Sequence, residues 1–295
     1  MNKVDIKAME TAMNYIEMAR GLLNRVLDNE EKTSEEKGVT YNPQLDSKRT
    51  FLNYIEGDSN ELARTVGLSI AEQEGELSFN PLLVYGPSGC GKTHLINAVG
   101  GKFKELNPQK NVFYVGARQF QMQYTDSVRQ NTIDEFRNFY LSADMLIVDD
   151  VQEWMDAPKT LDCFFNIFNH LVSSGKQIIL AGDRPPVKLK GMRKDLLSRF
   201  ASGLVAEIEA PDEQLRLDIL RAKSSQAGLD IQDEVIEYIA KNVKSNVCDL
   251  EGVVNSLKAY SMVNTIFDKQ LAECVIKRLV NGTDKVKNDR KSAEI

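Results

Sequence analysis

From residue 81 onward, short apolar runs alternate with stretches whose apolar residues recur every three or four positions. The runs at 81–85, 112–115, 144–149, 177–181 and 203–208 are rich in Val, Ile, Leu or aromatic residues and read as strands. Helical spacing fills the intervals 92–105, 118–128, 133–141 and 159–174. That alternation predicts a parallel sheet covered by helices on both faces. After Pro211 the strand pattern stops, and helical periodicity continues through 212–226, 232–242, 249–263 and 270–281, predicting a second, all-helical domain. Upstream, Met9, Met13, Ile16, Leu23 and Leu27 mark an amphipathic helix within 4–28, and the charged stretch from Asp28 to Gly38 reads as a linker. That helix either docks on a partner or packs back on its own domain. The expected division is therefore 1–38 for helix and linker, 39–209 for the α/β domain, 210–282 for the helical domain and 283–295 for a polar tail.

Composition narrows the class. A chain of 295 residues suits roughly two domains, and no apolar run approaches the ~20 residues of a membrane span. The start, Met1-Asn2-Lys3-Val4-Asp5, lacks the pattern of a signal peptide, so the expected location is the cytoplasm. Cys90, Cys163, Cys248 and Cys274 are far apart without C-x-x-C spacing and read as reduced, structural thiols. With His94 and His170 as the two histidines, a histidine-rich metal site is excluded. A net charge of −6 excludes nucleic-acid binding by bulk charge and leaves room only for a local patch.

The chemistry is concentrated behind the first apolar run. Gly86-Pro87-Ser88-Gly89-Cys90-Gly91-Lys92-Thr93 fits G-x-x-x-x-G-K-[ST], with a strand pattern before it and a helical one after. Glycines let several backbone N–H groups converge, and the helix start adds partial positive charge there. Lys92 is placed to reach the β- and γ-phosphates of a nucleoside triphosphate, and the Thr93 hydroxyl to coordinate Mg²⁺. A glycine-rich turn matching by chance is the alternative, and the flanking elements count against it.

Met145-Leu146-Ile147-Val148-Asp149-Asp150 is an apolar strand ending in two acids. At the C-terminal end of a strand beside the loop, Asp149 suits the Mg²⁺ shell, and Asp150 suits orienting or deprotonating an attacking water. The alternative is a strand ending in a solvated acidic turn; the spacing of about fifty residues from the loop favours a site. Asp183, after the strand Ile178–Gly182, either senses the γ-phosphate or belongs to a simple turn with Pro185 and Pro186. Arg199 either completes a neighbouring subunit's site or is a surface arginine.

Taken together, these blocks resemble the AAA+ ATPase core of the bacterial DnaA replication-initiator family over about residues 41–282. The likeness runs through Tyr41-Asn42-Pro43, Thr50–Asn60, Phe79-Asn80-Pro81-Leu82, the run from Gly91 to Leu95, and Ile133 to Tyr140. It continues in Val148–Gln152, Phe164–Asn169, Asp183-Arg184-Pro185-Pro186, Ser198–Leu204 and Asp249-Leu250-Glu251-Gly252. The resemblance implies an AAA+ P-loop NTPase core with a five-stranded parallel sheet and a C-terminal helical lid. It implies ATP with Mg²⁺ on the run from Gly86 to His94, Tyr54 and Ile55 at the adenine, Asp183 as γ-phosphate sensor and Arg199 as a trans-acting finger. It further implies ATP-dependent oligomerisation, with copies of itself or a full-length initiator, in starting DNA replication.

Departures from the family pattern qualify those expectations. Cys248 stands where the family has a lid arginine, and a neutral thiol puts turnover at weak ATPase level or below. Asp195 stands where another arginine is common, a charge reversal that bears on subunit contacts. Lys159 and Thr160 remain in the segment after the acidic strand without a fuller basic cluster, so single-stranded DNA is expected to bind more weakly. Nothing after residue 282 has the length of a helix-turn-helix reader, so no sequence-specific duplex contact is expected. The alternative function is a nucleotide-dependent adaptor or helicase-loader-like protein with little or no hydrolysis.

Overall fold

The apolar runs pair side by side as β1 (Leu82–Tyr85), β2 (Val112–Gly116), β3 (Met145–Asp149), β4 (Gln177–Gly182) and β5 (Leu204–Glu207). A computed structural model describes residues 45–73, 79–262 and 267–279. All of these fall in the unit Pro43–Ile295. The expected helix over 4–28, the linker to Gly38 and the tail over 283–295 lie outside the described residues.

All pairs are parallel, in the order β2-β3-β4-β1-β5. Every residue of β3 and β4 is buried, as unbroken apolar runs covered on both faces require. Parallel neighbours need crossovers, supplied here by α2 (Lys92–Leu106), α3 (Ala117–Gln130), α4 (Ile133–Leu141), α5 (Pro158–Ser173) and α6 (Lys194–Phe200), while α1 (Glu61–Glu72) precedes β1. β4, rather than the acidic strand β3, stands next to β1 (Leu82 opposite Ile179), and β3 pairs on its far side (Met145 opposite Gln177). The loops after β1, β3 and β4 therefore leave one edge of the sheet, the carboxyl edge where open α/β sheets place ligands.

Periodicity alone did not anticipate α1 or α6. α1 buries Ala63, Val66, Ile70 and Ala71, a face of small and branched residues. α6 is seven residues long, too short for a repeating stripe, and is anchored by Leu196 and Phe200 one turn apart.

Trp154 joins the acidic end of β3 to α3 and α5. It is buried in the 3₁₀ turn Val151–Trp154, and its indole N–H donates to Ala117 O at 2.6 Å. Its ring packs against Phe120 and Phe164 at centroid distances of 5.2 and 4.7 Å. Phe120 in turn meets Phe136 and Tyr140, so α3, α4 and α5 share one aromatic core.

The helical part comprises α7 (Glu213–Gln226), α8 (Asp233–Asn242), α9 (Val247–Ser261) and α10 (Lys269–Leu279) around Leu220, Ile239, Leu250, Val253 and Val275. Asp212 caps α7 by accepting from Leu215 N at 2.7 Å, and Asn246 caps α9 by accepting from Asp249 N at 2.9 Å. The buried Arg216 donates to Pro211 O and to Ala240 O, the latter in the last turn of α8, where a cation suits the helix dipole. No helix among the described residues is long and apolar enough to cross a membrane.

Candidate nucleotide site

The loop from Gly86 to Thr93 is shaped by what surrounds it. A Cβ at Gly86 would lie 2.0 Å from Ile208 O, so only glycine lets the loop pass under β5. Gly91 has φ 107°, a left-handed value that turns the chain into α2. Lys92 opens that helix; it is 7% exposed, and its Nζ donates to Gly86 O and Pro87 O, both at 2.8 Å. The ammonium thus lies inside the curl of the loop. Pro87 and Ser88 are exposed at its crest, while Cys90 is buried beneath, where burial pushes its thiol up and keeps it neutral.

Thr93 Oγ1 donates to Asp149 Oδ2 at 2.6 Å, joining the start of α2 to the end of β3. That carboxylate is 3% exposed and also accepts from the Tyr114 hydroxyl at 3.0 Å and from Asp150 N at 2.9 Å. Burial raises the Asp149 carboxyl above its ordinary value, and the charge of Asp150 adds to this against the two hydroxyl bonds. A hydroxyl and a carboxylate so placed are the oxygen donors Mg²⁺ takes, the rest of its shell being water and phosphate.

Asp150 follows with φ 57° and ψ 47° and is exposed. Asp183, just past β4, forms a two-point pair with Arg184 at 2.8 and 2.6 Å, which holds its carboxyl below the usual range. Both acids thus stand at the same sheet edge as the loop. Arg199 is on α6, exposed, and its guanidinium makes no hydrogen bond or ion pair among the described residues.

Beside the loop lies a cavity lined by Tyr54, Ile55, Asn60, Cys90, Gly91 and His94 on one side and by Leu215, Ile219, Lys223, Val247 and Glu251 of the helical part on the other. Lys223 and Glu251 pair at 2.6 Å across its lid wall. Tyr54 is 6% exposed, and its hydroxyl has no partner among the described residues. A buried hydroxyl left unpaired is costly. The lid touches the loop directly: Val247 N donates to Gly89 O at 3.0 Å, and Cys248 is exposed in the first turn of α9. Of these residues, Tyr114 and the lid wall had gone unmarked in the sequence, because nothing in a one-dimensional pattern says which strand residue faces Asp149.

His94 Nε2 lies 3.1 Å from Thr50 O and 3.0 Å from Asn53 Oδ1, two acceptors, so Nε2 carries the proton. Burial lowers its proton affinity below the ordinary value of 6.5. The unfolded chain then binds a proton that the folded one refuses, so His94 costs stability as pH falls through and below 6.5. The urea midpoint should drop more steeply between about pH 6.5 and pH 5.5 in the unaltered protein than in His94→Gln.

A parallel sheet carrying a phosphate loop behind β1, an acid-tipped strand and a helical lid defines a P-loop NTPase of the AAA+ class. The family model for the bacterial DnaA ATPase domain matches residues 45–207, and the chain belongs to that family. It is 50% identical over 239 residues to the chromosomal replication initiator protein DnaA of Bacteroides fragilis (strain YCH46), an alignment covering 81% of this chain and 50% of that protein. Domain III of the Thermotoga maritima replication initiation protein DnaA superposes with a TM-score of 0.77 at 33% identity, covering 80% of this chain and 99% of that one. A replication initiator DnaA bound to AMPPCP and single-stranded DNA superposes at 0.68 with 40% identity, covering 72% and 66% of the two chains. The chain spans about half the length of the curated relatives it matches.

Proposed function

We propose that this chain binds ATP with Mg²⁺, hydrolyses it slowly, and uses the bound state to assemble through its AAA+ faces in replication initiation. The observation that carries this is the meeting of Lys92, Thr93 and Asp149 at one loop, beside a cavity lined by Tyr54 and Ile55. Gly86 to His94 cradle the triphosphate, with the Lys92 ammonium on its β- and γ-phosphates. Thr93 and Asp149 hold the cation, which when bound neutralises charge on the phosphates. Asp150 orients the attacking water, Asp183 faces the γ-phosphate, and Arg199 extends from an exposed helix toward a neighbouring subunit. Tyr54 and Ile55 receive the adenine, between the α/β part over 39–209 and the lid over 210–282.

The relative bound to AMPPCP and single-stranded DNA supports both the nucleotide and a DNA strand as ligands here. Cys248 supplies no cation at the lid, which agrees with slow turnover. The test is ATP turnover by the purified chain: Asp150→Asn should lower it about 10²-fold with ATP affinity retained. A rate unaffected by Asp150→Asn would take the water-orienting role away from that residue.

A further inference from the structure

Gln152 joins two loops of the candidate site through a single side-chain amide. Its Nε2 donates to Asp150 Oδ1 at 3.0 Å, and its Oε1 accepts from Asp183 N at 3.1 Å. The amide orientation is determined by its partners, since a flipped amide would set oxygen against carboxylate and NH₂ against N–H. The neighbours are arranged to support it. β3 and β4 pair directly, Val148 opposite Leu180, so their loops leave the sheet side by side. Val151 and Trp154 on either side of Gln152 are fully buried, which fixes the turn that presents the amide.

Asp150 itself has φ 57°, an uncommon conformation for a residue with a side chain, and strained residues of this kind persist where surroundings hold them. Among the described residues Gln152 is the side chain bonded to the Asp150 carboxylate. One carboxylate oxygen is therefore held while the other stays free for a water. The charged groups of the two loops are Asp150, Glu153 and Asp156 after β3 and Asp183, Arg184, Lys188 and Lys190 after β4, with Asp149 at the end of β3 and Lys92 acting on Asp183 from the start of α2.

We propose that Gln152 is a positioning residue for ATP hydrolysis. It holds the Asp150 carboxylate in its working orientation and ties that orientation to the backbone at Asp183, so that the tip of β4 and the group acting on water move together. This rests on the reading of Asp150 given above.

The test compares the unaltered protein, Asp150→Asn, Gln152→Ala and Gln152→Glu by ATP titration, by kcat and KM, and by pH profile. Gln152→Ala should lower kcat about tenfold to hundredfold while KM and ATP affinity stay within about twofold. Gln152→Glu keeps the acceptor for Asp183 N but sets a carboxylate against Asp150. Its kcat should fall below that of Gln152→Ala at about pH 8 and recover toward about pH 6, as the introduced carboxyl gains a proton it can donate. A role in turn stability alone would lower the urea midpoint of Gln152→Ala in step with its kcat, so the midpoints of the variants are measured beside the rates, and a midpoint that falls with kcat overturns the proposal. Unchanged kcat in Gln152→Ala, or a Gln152→Glu profile parallel to that of the unaltered protein, overturns the proposal while a slow Asp150→Asn leaves the water-orienting reading intact. No turnover in the unaltered protein overturns the proposal and hydrolysis together, and the ATP titration then shows whether the binding reading stands.

Discussion

Lys92→Ala should weaken ATP binding by at least about a hundredfold in an equilibrium titration, with the fold retained. The Nζ of Lys92 lies between Gly86 O and Pro87 O, 2.8 Å from each, so its charge is already held where a phosphate chain would curl. A charge-assisted bond is worth about 1.5–3 kcal/mol, and alanine removes those made to two phosphates together with the attraction to their charge. About 3 kcal/mol already corresponds to a factor of more than a hundred in affinity. The fold should survive: Pro87 is exposed, so water can replace the lost donor at its carbonyl, and the cost is that of the buried Gly86 carbonyl, about 1–3 kcal/mol. The expected loss is therefore concentrated in binding: a cooperative urea transition with a lowered midpoint beside a titration with no saturable ATP signal. Unchanged affinity would falsify the assignment of the site to a triphosphate.

Much of this site is legible along the chain because its parts are local. The loop, the two acids after β3 and Asp183 after β4 each sit where an apolar run ends, and a run's end is visible in one dimension. What is long-range is not. The insertion of β4 between β1 and β3 is a matter of pairing, and runs of equal apolarity do not declare their neighbours. Tyr114 reads as one more strand residue until its hydroxyl is found on Asp149, 35 positions away. Gln152 is a polar residue after an acidic pair until its amide is seen to reach Asp183, 31 positions on. The start of α9 shows the same limit at small scale. Apolar spacing begins the helix at 249, whereas the Asn246 side chain caps it and draws Val247 and Cys248 into its first turn against the loop. That shift brings the lid's neutral cysteine to the helix end that meets Gly89.

Gly86→Ala and Gly101→Ala should act in opposite directions, although each adds the same methyl group. At Gly86 the new Cβ would meet Ile208 O at 2.0 Å and Ile208 C at 3.1 Å, backbone atoms with no rotamer to relieve the clash. Ile208 cannot retreat easily, since it is fully buried and its N–H donates to Tyr85 O at 2.7 Å, locking the end of β5 to the end of β1. The loop must move instead, costing about 2 kcal/mol of stability and displacing the carbonyls that hold Lys92. Gly101 lies within α2, exposed, with nothing within 4 Å of an added Cβ. There alanine restricts the unfolded chain and favours the helix, adding about 0.5–1 kcal/mol. Urea unfolding and ATP titration on both variants separate the two effects. Gly86→Ala should lower the midpoint and the affinity together, whereas Gly101→Ala should raise the midpoint and leave the affinity alone. A Gly86→Ala protein that bound ATP as well as the unaltered chain would mean that the contact with β5 does not shape the phosphate cradle, and that the loop takes its form from Gly91 and the start of α2 alone.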